Sequence, residues 1–91
     1  MRLILYSKSG CHLCEGLQEK LEQIPGIELE VRDITSREDW FQAYQYEIPV
    51  LFGVQTQGEK LEKQLPRPSP RATVKHLEQM LQKHLGENNG Q

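Results

Sequence analysis

The sequence has few cysteines, no long apolar run and little excess charge. Two cysteines occur among 91 residues, and the net charge is −2 at neutral pH with histidine uncharged. No apolar run approaches the roughly 20 residues that a bilayer-spanning helix needs. The near balance of charge argues against nucleic acid and against a membrane surface as partners. What is left is an ordinary globular composition, which predicts one domain over residues 1–85 and a disordered polar tail over residues 86–91.

The chain also lacks the apolar core of a secretion signal near its start. Four apolar or aromatic residues, Leu3–Tyr6, separate Arg2 from the polar segment that begins at Ser7. A signal peptide needs about 7–15 apolar residues, so we expect a cytoplasmic location. There, two closely spaced cysteines are more often redox-active than structural. A bridge between them would also constrain very little chain and so add little stability.

The two cysteines lie three residues apart, at Cys11 and Cys14, where an apolar run gives way to an amphipathic pattern. Leu3–Tyr6 predicts a buried strand, Gly10 allows a tight turn, and apolar spacing predicts a helix over about 12–24. Unpaired amides and the helix dipole at a helix start favour a thiolate. We therefore expect Cys11 to be a nucleophile with a pKa below the about 8.5 of a free thiol. Cys14, on the apolar face, is the expected resolving thiol in thiol–disulfide exchange.

The remaining pattern predicts the order β-α-β-α-β-β-α. This order indicates an α/β fold with a four-stranded mixed sheet flanked by three helices. The further predicted elements are a strand over 27–32, a helix opened by a capping box at 36–39 and ending near Tyr46, a strand over 48–52, a hairpin turn over 55–58, an edge strand over 59–64, and a last helix with Ser69 as N-cap, Pro70 as first residue and Gly86 at its end.

This order, with Cys-x-x-Cys after the first strand and Ile48-Pro49 before the third, resembles the thioredoxin fold. The segment Leu5–Cys14, together with Ile48–Val50, resembles a small glutaredoxin-like family over roughly residues 1–85. The resemblance implies a cis peptide bond before Pro49 that packs against the disulfide. It also implies that the backbone of Ile48 is free to pair with an extended substrate, as in strand addition.

The resemblance further implies a thiol–disulfide oxidoreductase that reduces protein or glutathione disulfides. The expected electron donor is glutathione or a thioredoxin-type reductase, and the expected state is a monomer with no metal or tightly bound cofactor. One segment departs from the family pattern. Glutaredoxins usually carry a Gly-Gly pair and acidic residues before the last helix, whereas this chain has Leu65–Arg71, which is rich in proline and arginine. The resemblance thus implies dithiol chemistry but leaves glutathione dependence open, and glutathione is a candidate co-substrate.

Several residues near the motif are candidate substrate-binding residues. His12 either tunes the Cys11 thiolate or is an exposed helix residue, and Lys8 either meets a substrate carboxylate or is an ordinary loop lysine. The full candidate set is Tyr6, Lys8, Gly10, His12, Ile48 and Pro49.

A basic cluster near the start of the last helix has two readings. Arg67, Arg71 and Lys75 form either an anion site near the cysteines or a solvated basic face. Trp40, Phe41 and Tyr44 at helical spacing indicate core packing.

Other functions fit parts of this pattern. A non-enzymatic redox sensor or binding module would have a slow thiol of ordinary pKa. An arsenate-reductase-like enzyme would also place a cysteine after the first strand, with Arg67 and Arg71 as oxyanion ligands. A zinc site within one chain is short of ligands, because tetrahedral zinc takes four and Cys11, Cys14 and His12 offer three. A metal cluster shared between two subunits is the form of metal site that stays open.

Overall fold

The elements of the computed structural model, which describes residues 1–57 and 59–86, follow the predicted order. A short 3-10 turn, Ile34–Ser36, precedes the second helix. The strands and helices are β1 (Arg2–Ser7), α1 (His12–Glu22), β2 (Glu28–Asp33), α2 (Glu38–Tyr44), β3 (Val50–Gln57), β4 (Glu59–Gln64) and α3 (Val74–Leu85). Residues 87–91 of the predicted tail lie outside the described residues, as does Gly58 of the predicted turn.

The sheet has the strand order β2-β1-β3-β4, with β1 and β3 in the centre. β1 pairs in parallel with β2, with Leu3 opposite Leu29, and antiparallel with β3, with Leu5 opposite Leu51. β3 and β4 form an antiparallel hairpin. The central position of β1 explains its continuous apolar run, since both of its faces are covered by helices.

Alternate residues of β1 enter two separate cores. Leu3 and Leu5 pack with α1 and α3, while Ile4 and Tyr6 pack with α2 and the 3-10 turn. All four are at most 4 % exposed. A mixed four-stranded sheet with helices on both faces is the predicted α/β architecture, and it is a thioredoxin-like fold.

The capping box predicted at Ser36 is wrong. Asp33 caps the 3-10 turn instead, because its carboxylate accepts from the backbone N–H of Thr35 at 2.8 Å and from the Thr35 hydroxyl at 2.7 Å. The Ser36 hydroxyl donates to the Asp33 carbonyl at 2.6 Å, which turns it away from α2. Arg37 is therefore the N-cap residue of α2, without a side-chain cap, and α2 ends at Tyr44 rather than Tyr46.

The predicted start of the last helix at Ser69 and Pro70 is also wrong. α3 begins at Val74, because the Thr73 hydroxyl accepts from the N–H of His76 at 3.1 Å. Ser69 instead closes a local turn by accepting from the N–H of Arg71 at 3.1 Å. The connector that leads from β4 to α3 is longer than predicted as a result.

Two further boundaries differ from the predictions. α1 ends at Glu22 rather than Ile24, because the amides of Gln23 and Ile24 bond to the third preceding carbonyls in a tightened last turn. β3 continues to Gln57, since its residues up to Gln57 pair with β4, and the predicted turn over 55–58 is therefore placed too early.

Candidate functional site

Cys11 is the N-cap residue of α1. Its backbone is extended, with φ −88° and ψ 104°, and its sulfur accepts a hydrogen bond from the N–H of Cys14 at 3.2 Å. A turn in which the Cys11 N–H donates to the Lys8 carbonyl at 3.1 Å holds the residue in this place. The sulfur thus occupies the position in which a serine or aspartate oxygen usually caps a helix.

The two cysteines form a disulfide, with their Cα atoms 5.3 Å apart. They differ in exposure: Cys11 is half-buried, whereas Cys14 is 2 % exposed on the core face of α1. This difference fits the predicted division of roles, since an incoming molecule reaches the sulfur of Cys11 before that of Cys14.

Gly10 makes the turn into the helix. Its φ is +84°, a left-handed conformation that residues with a side chain rarely adopt. The turn brings the chain from the end of β1 to the N-terminus of α1 within four residues, 8–11. The structure thus gives Gly10 a conformational role next to the disulfide.

The peptide bond between Ile48 and Pro49 is cis, as the resemblance implied. Pro49 is buried and lines a groove of about 160 Å³ that runs between α1 and the segment 67–70. Other residues that line this groove are His12, Leu13, Lys20, Arg67 and Pro70.

The backbone of Ile48 is already occupied, so the prediction that it is free for an extended substrate is wrong for this structure. The Ile48 N–H donates to the carbonyl of Tyr44 at 3.2 Å, in the turn that follows α2. The Ile48 carbonyl accepts from the guanidinium of Arg67 at 3.1 Å. A carbonyl oxygen has two acceptor positions, so Arg67 takes one of them and competes with a substrate strand for this carbonyl.

His12 and Lys8 lie at the surface beside the disulfide. The His12 side chain is 94 % exposed, and its Nδ1 lies 3.6 Å from a carboxylate oxygen of Glu15. This placement fits an exposed helix residue better than a tuner of the Cys11 thiolate. Lys8 is exposed, and its charge helps to keep the pKa of Asp33 below its usual range, after the larger effect of the hydrogen bonds from Thr35.

Tyr6 lies apart from the groove. Its ring is 4 % exposed and packs against Trp40, Tyr44 and Phe52, and its hydroxyl accepts from Arg32 at 2.8 Å. The structure therefore gives this candidate substrate-binding residue a packing role on the α2 face. Trp40, Phe41 and Tyr44 pack in the same cluster, as predicted.

The basic cluster is only partly brought to the groove. Arg67 lines it, whereas neither Arg71 nor Lys75 does, and both are exposed. Lys20 also lines it and was missed by sequence reasoning. Its ammonium donates to the carbonyls of Pro70 at 2.9 Å and Ala72 at 2.6 Å, which fastens the connector to α1. A lysine at an ordinary helix position gives no sequence signal for such a contact.

Leu13 is the second residue that sequence reasoning missed. Leu13 stands between the two cysteines in sequence, and its side chain is 50 % exposed and lines the groove. An apolar side chain exposed beside a disulfide is suited to contact with a substrate. Over residues 1–57 and 59–86, no three His, Cys, Asp or Glu side chains come together as metal ligands.

The fold and the site define the class: a thioredoxin-like protein with a Cys-x-x-Cys disulfide at a helix N-terminus and a cis-proline that shares a groove with His12 and Leu13 of the same motif. A family model described as glutaredoxin-like domain (DUF836) matches residues 2–82, and the chain belongs to this family. Comparisons with curated proteins and with solved structures gave no match. Among the described residues, no helix is long and apolar enough to cross a membrane.

Proposed function

We propose that this protein is a glutaredoxin-like thiol–disulfide oxidoreductase in which Cys11 attacks and Cys14 resolves. The observation that carries the proposal is the hydrogen bond from the Cys14 N–H to the Cys11 sulfur at the start of α1. In the reduced protein the same amide and the helix dipole stabilise a thiolate on Cys11. The pKa of Cys11 then lies below that of a free thiol, and the thiolate is present at neutral pH.

The reaction follows from the geometry. The Cys11 thiolate attacks one sulfur of a substrate disulfide, so that a mixed disulfide forms, the substrate S–S bond breaks, and the first substrate thiolate leaves and takes up a proton. The Cys14 thiol then loses its proton and attacks the Cys11 sulfur, which releases the second substrate thiol. The substrate gains two electrons and two protons, and the protein is left with the Cys11–Cys14 disulfide that the structure contains.

A donor must return two electrons to that disulfide. We propose two glutathione molecules or a thioredoxin-type reductase in this role, and protein or small-molecule disulfides as substrates. A cytoplasmic, monomeric protein without a bound cofactor is part of the same proposal. The arsenate-reductase alternative has less support, because Arg71 does not line the groove in the described residues.

Turnover of a protein disulfide tests the proposal. Reduction of insulin disulfides by dithiothreitol is measured with the wild type, Cys11→Ser and Cys14→Ser. We expect catalysis by the wild type and none by Cys11→Ser. His76→Ala, an exposed substitution on α3 away from the groove, is the control and should behave as wild type. Normal turnover by Cys11→Ser would contradict the mechanism. If the Cys11 thiol instead reacted slowly and had the pKa of an ordinary thiol, the redox-sensing module would be favoured.

The electron donor is tested separately. The oxidised protein is equilibrated in a series of glutathione redox buffers, and the fraction reduced is read by mass spectrometry. Ready reduction, with one glutathione adduct on Cys14→Ser, would make glutathione the donor despite the altered segment 65–71. Resistance to glutathione, together with reduction by thioredoxin reductase and thioredoxin, would assign the protein to the thioredoxin-type route.

A further inference from the structure

The groove beside the disulfide carries positive charge in a chain of net charge −2. Lys20 and Arg67 are its two permanently cationic residues, and none of the described residues that line it carries a carboxylate. The apolar part of the lining includes Leu13, Pro49 and Pro70. This lining suits an occupant that is partly apolar and carries negative charge.

The two cations differ in what they already bind. The Lys20 ammonium bonds to two carbonyls of the connector, and its side chain is half-buried. Arg67 is exposed, and within the described part of the chain its guanidinium makes one hydrogen bond, to the Ile48 carbonyl, and no ion pair. A guanidinium has several N–H donors in a planar fork that matches a carboxylate. Arg67 is thus the cation that can exchange its partner.

The present partner of Arg67 is itself informative. The Ile48 carbonyl precedes the cis-proline at the groove, where Pro49 has no N–H to offer. Arg67 therefore covers a backbone acceptor directly before the cis-proline that lines the groove. A neutral carbonyl is a weaker acceptor for a guanidinium than a carboxylate is. A substrate carboxylate can draw Arg67 away and uncover the carbonyl for a substrate N–H.

From this arrangement we propose that Arg67 is a specificity-determining residue: it covers the Ile48 carbonyl in the free protein and exchanges it for a carboxylate carried close to the substrate disulfide. The proposal deepens the proposed function, on which it rests, by naming the substrate class. That class is a disulfide with an acidic group beside it, whether in a protein segment or in a small acidic thiol.

Paired peptides test the exchange. One peptide has a mixed disulfide on a cysteine flanked by aspartates, and its neutral partner has asparagines in their place. The wild type should favour the acidic peptide by about fivefold in kcat/KM, mostly through KM, as expected for one exposed ion pair. The preference should shrink as salt is added. Arg67→Gln should lose the preference, and Arg67→Lys, which keeps the charge without the fork, should keep part of it.

Arg71→Gln is the matched control. It removes the same charge from the same connector at an exposed residue that does not line the groove. This variant should keep the full acidic preference. Equal losses in Arg67→Gln and Arg71→Gln would overturn the proposal in favour of a general field effect, and so would a wild type that does not distinguish the two peptides.

A binding measurement separates this proposal from the proposed function. Versions of both peptides with serine in place of cysteine are titrated into the oxidised protein, and Kd is read from amide and Arg67 Nε–H chemical shifts. If the acidic peptide binds more tightly than the neutral one and Arg67→Gln abolishes the difference, the proposal is supported, whether or not the disulfide peptides are turned over. If neither disulfide peptide is turned over, only the oxidoreductase assignment is contradicted. Glutathione disulfide serves as a third substrate: a loss in Arg67→Gln limited to it points to small acidic thiols, and one limited to the peptide points to protein segments.

Discussion

At the scale of single residues, Tyr44 and Tyr46 are close in sequence but lie in different surroundings. Tyr44 packs against Tyr6 and Phe52 in the α2-side core, and Tyr46 is 87 % exposed. Burial, followed by the neighbouring Tyr6 and Glu62, raises the pKa of Tyr44 above the usual 10.0. Ionisation of this phenol is therefore resisted by the folded state.

This raised pKa predicts alkaline sensitivity. Because the folded pKa lies above the unfolded one, the stability linked to Tyr44 is complete below about pH 10 and is lost as pH rises further. Tyr44→Phe should make the free energy of unfolding fall less steeply above pH 10, as measured by urea unfolding at several pH values. Tyr46→Phe is the control and should keep the wild-type slope. An unchanged slope in Tyr44→Phe would contradict the assignment.

The residue scale also shows where prediction from sequence ends. The roles proposed for Cys11 and Cys14 rest on their place at a strand–helix junction, and the structure places Cys11 at the N-cap and Cys14 on the buried face of α1. The sequence did not indicate that Arg67 covers the Ile48 carbonyl, since this bond joins residues 19 apart on either side of the β3–β4 hairpin. Contacts of this kind depend on the path of a loop, which local patterns do not specify.

At the scale of elements, β3 and α3 pack closely at Gly53. A Cβ atom at this position would overlap the end of the Leu85 side chain, lying 2.6 Å from Leu85 Cδ2 and closer still to Cδ1. Leu85 is buried, so relief requires a shift of the last turn of α3. Gly53→Ala should lower the free energy of unfolding by about 1–2 kcal/mol, measured by urea denaturation.

Gly16 provides the contrast. It lies inside α1, and a Cβ atom there would meet nothing within 4 Å. Gly16→Ala should raise the free energy of unfolding by about 0.5–1 kcal/mol, because alanine loses less conformational entropy in a helix. If Gly53→Ala raised the free energy of unfolding as Gly16→Ala is expected to, the close packing of β3 on α3 would be wrong.

The start of α3 gives a second prediction for an element. Thr73 caps the helix through its hydroxyl, so Thr73→Ala should cost about 1 kcal/mol in the free energy of unfolding. Ser69→Ala removes a hydroxyl that closes a turn outside the helix and should cost less. The opposite ranking would restore the sequence-based interpretation, in which Ser69 caps the helix.

The wrong caps have one physical cause. At both helix starts a side chain with the right chemistry was already bonded elsewhere: Ser36 to Asp33, and Ser69 to Arg71. Sequence patterns find residues able to cap, but they do not show which of two nearby capping residues the chain uses. The existence of the last helix was predicted correctly, because burial decides a helix interior: Leu77, Leu81 and Leu85 are buried on one face of α3.

At the scale of the whole molecule, the strand order places the disulfide and the cis-proline at the same edge of the sheet. β1 runs antiparallel to β3, so the end of β1, which leads to Cys11, lies beside the start of β3, which follows Pro49. Two segments separated by almost 40 residues thereby meet at one site. This meeting was predicted through the resemblance to the thioredoxin fold, and the observed strand order gives its physical reason.

The central claim is that Cys11 attacks first and Cys14 resolves. Its most direct test is intact mass spectrometry of reduced Cys11→Ser and Cys14→Ser at neutral pH, after brief exposure to 2-hydroxyethyl disulfide. Cys14→Ser should gain one mixed-disulfide adduct rapidly, while Cys11→Ser should stay largely unmodified because Cys14 is 2 % exposed. Equal labelling of the two variants, or faster labelling of Cys11→Ser, would contradict the assignment.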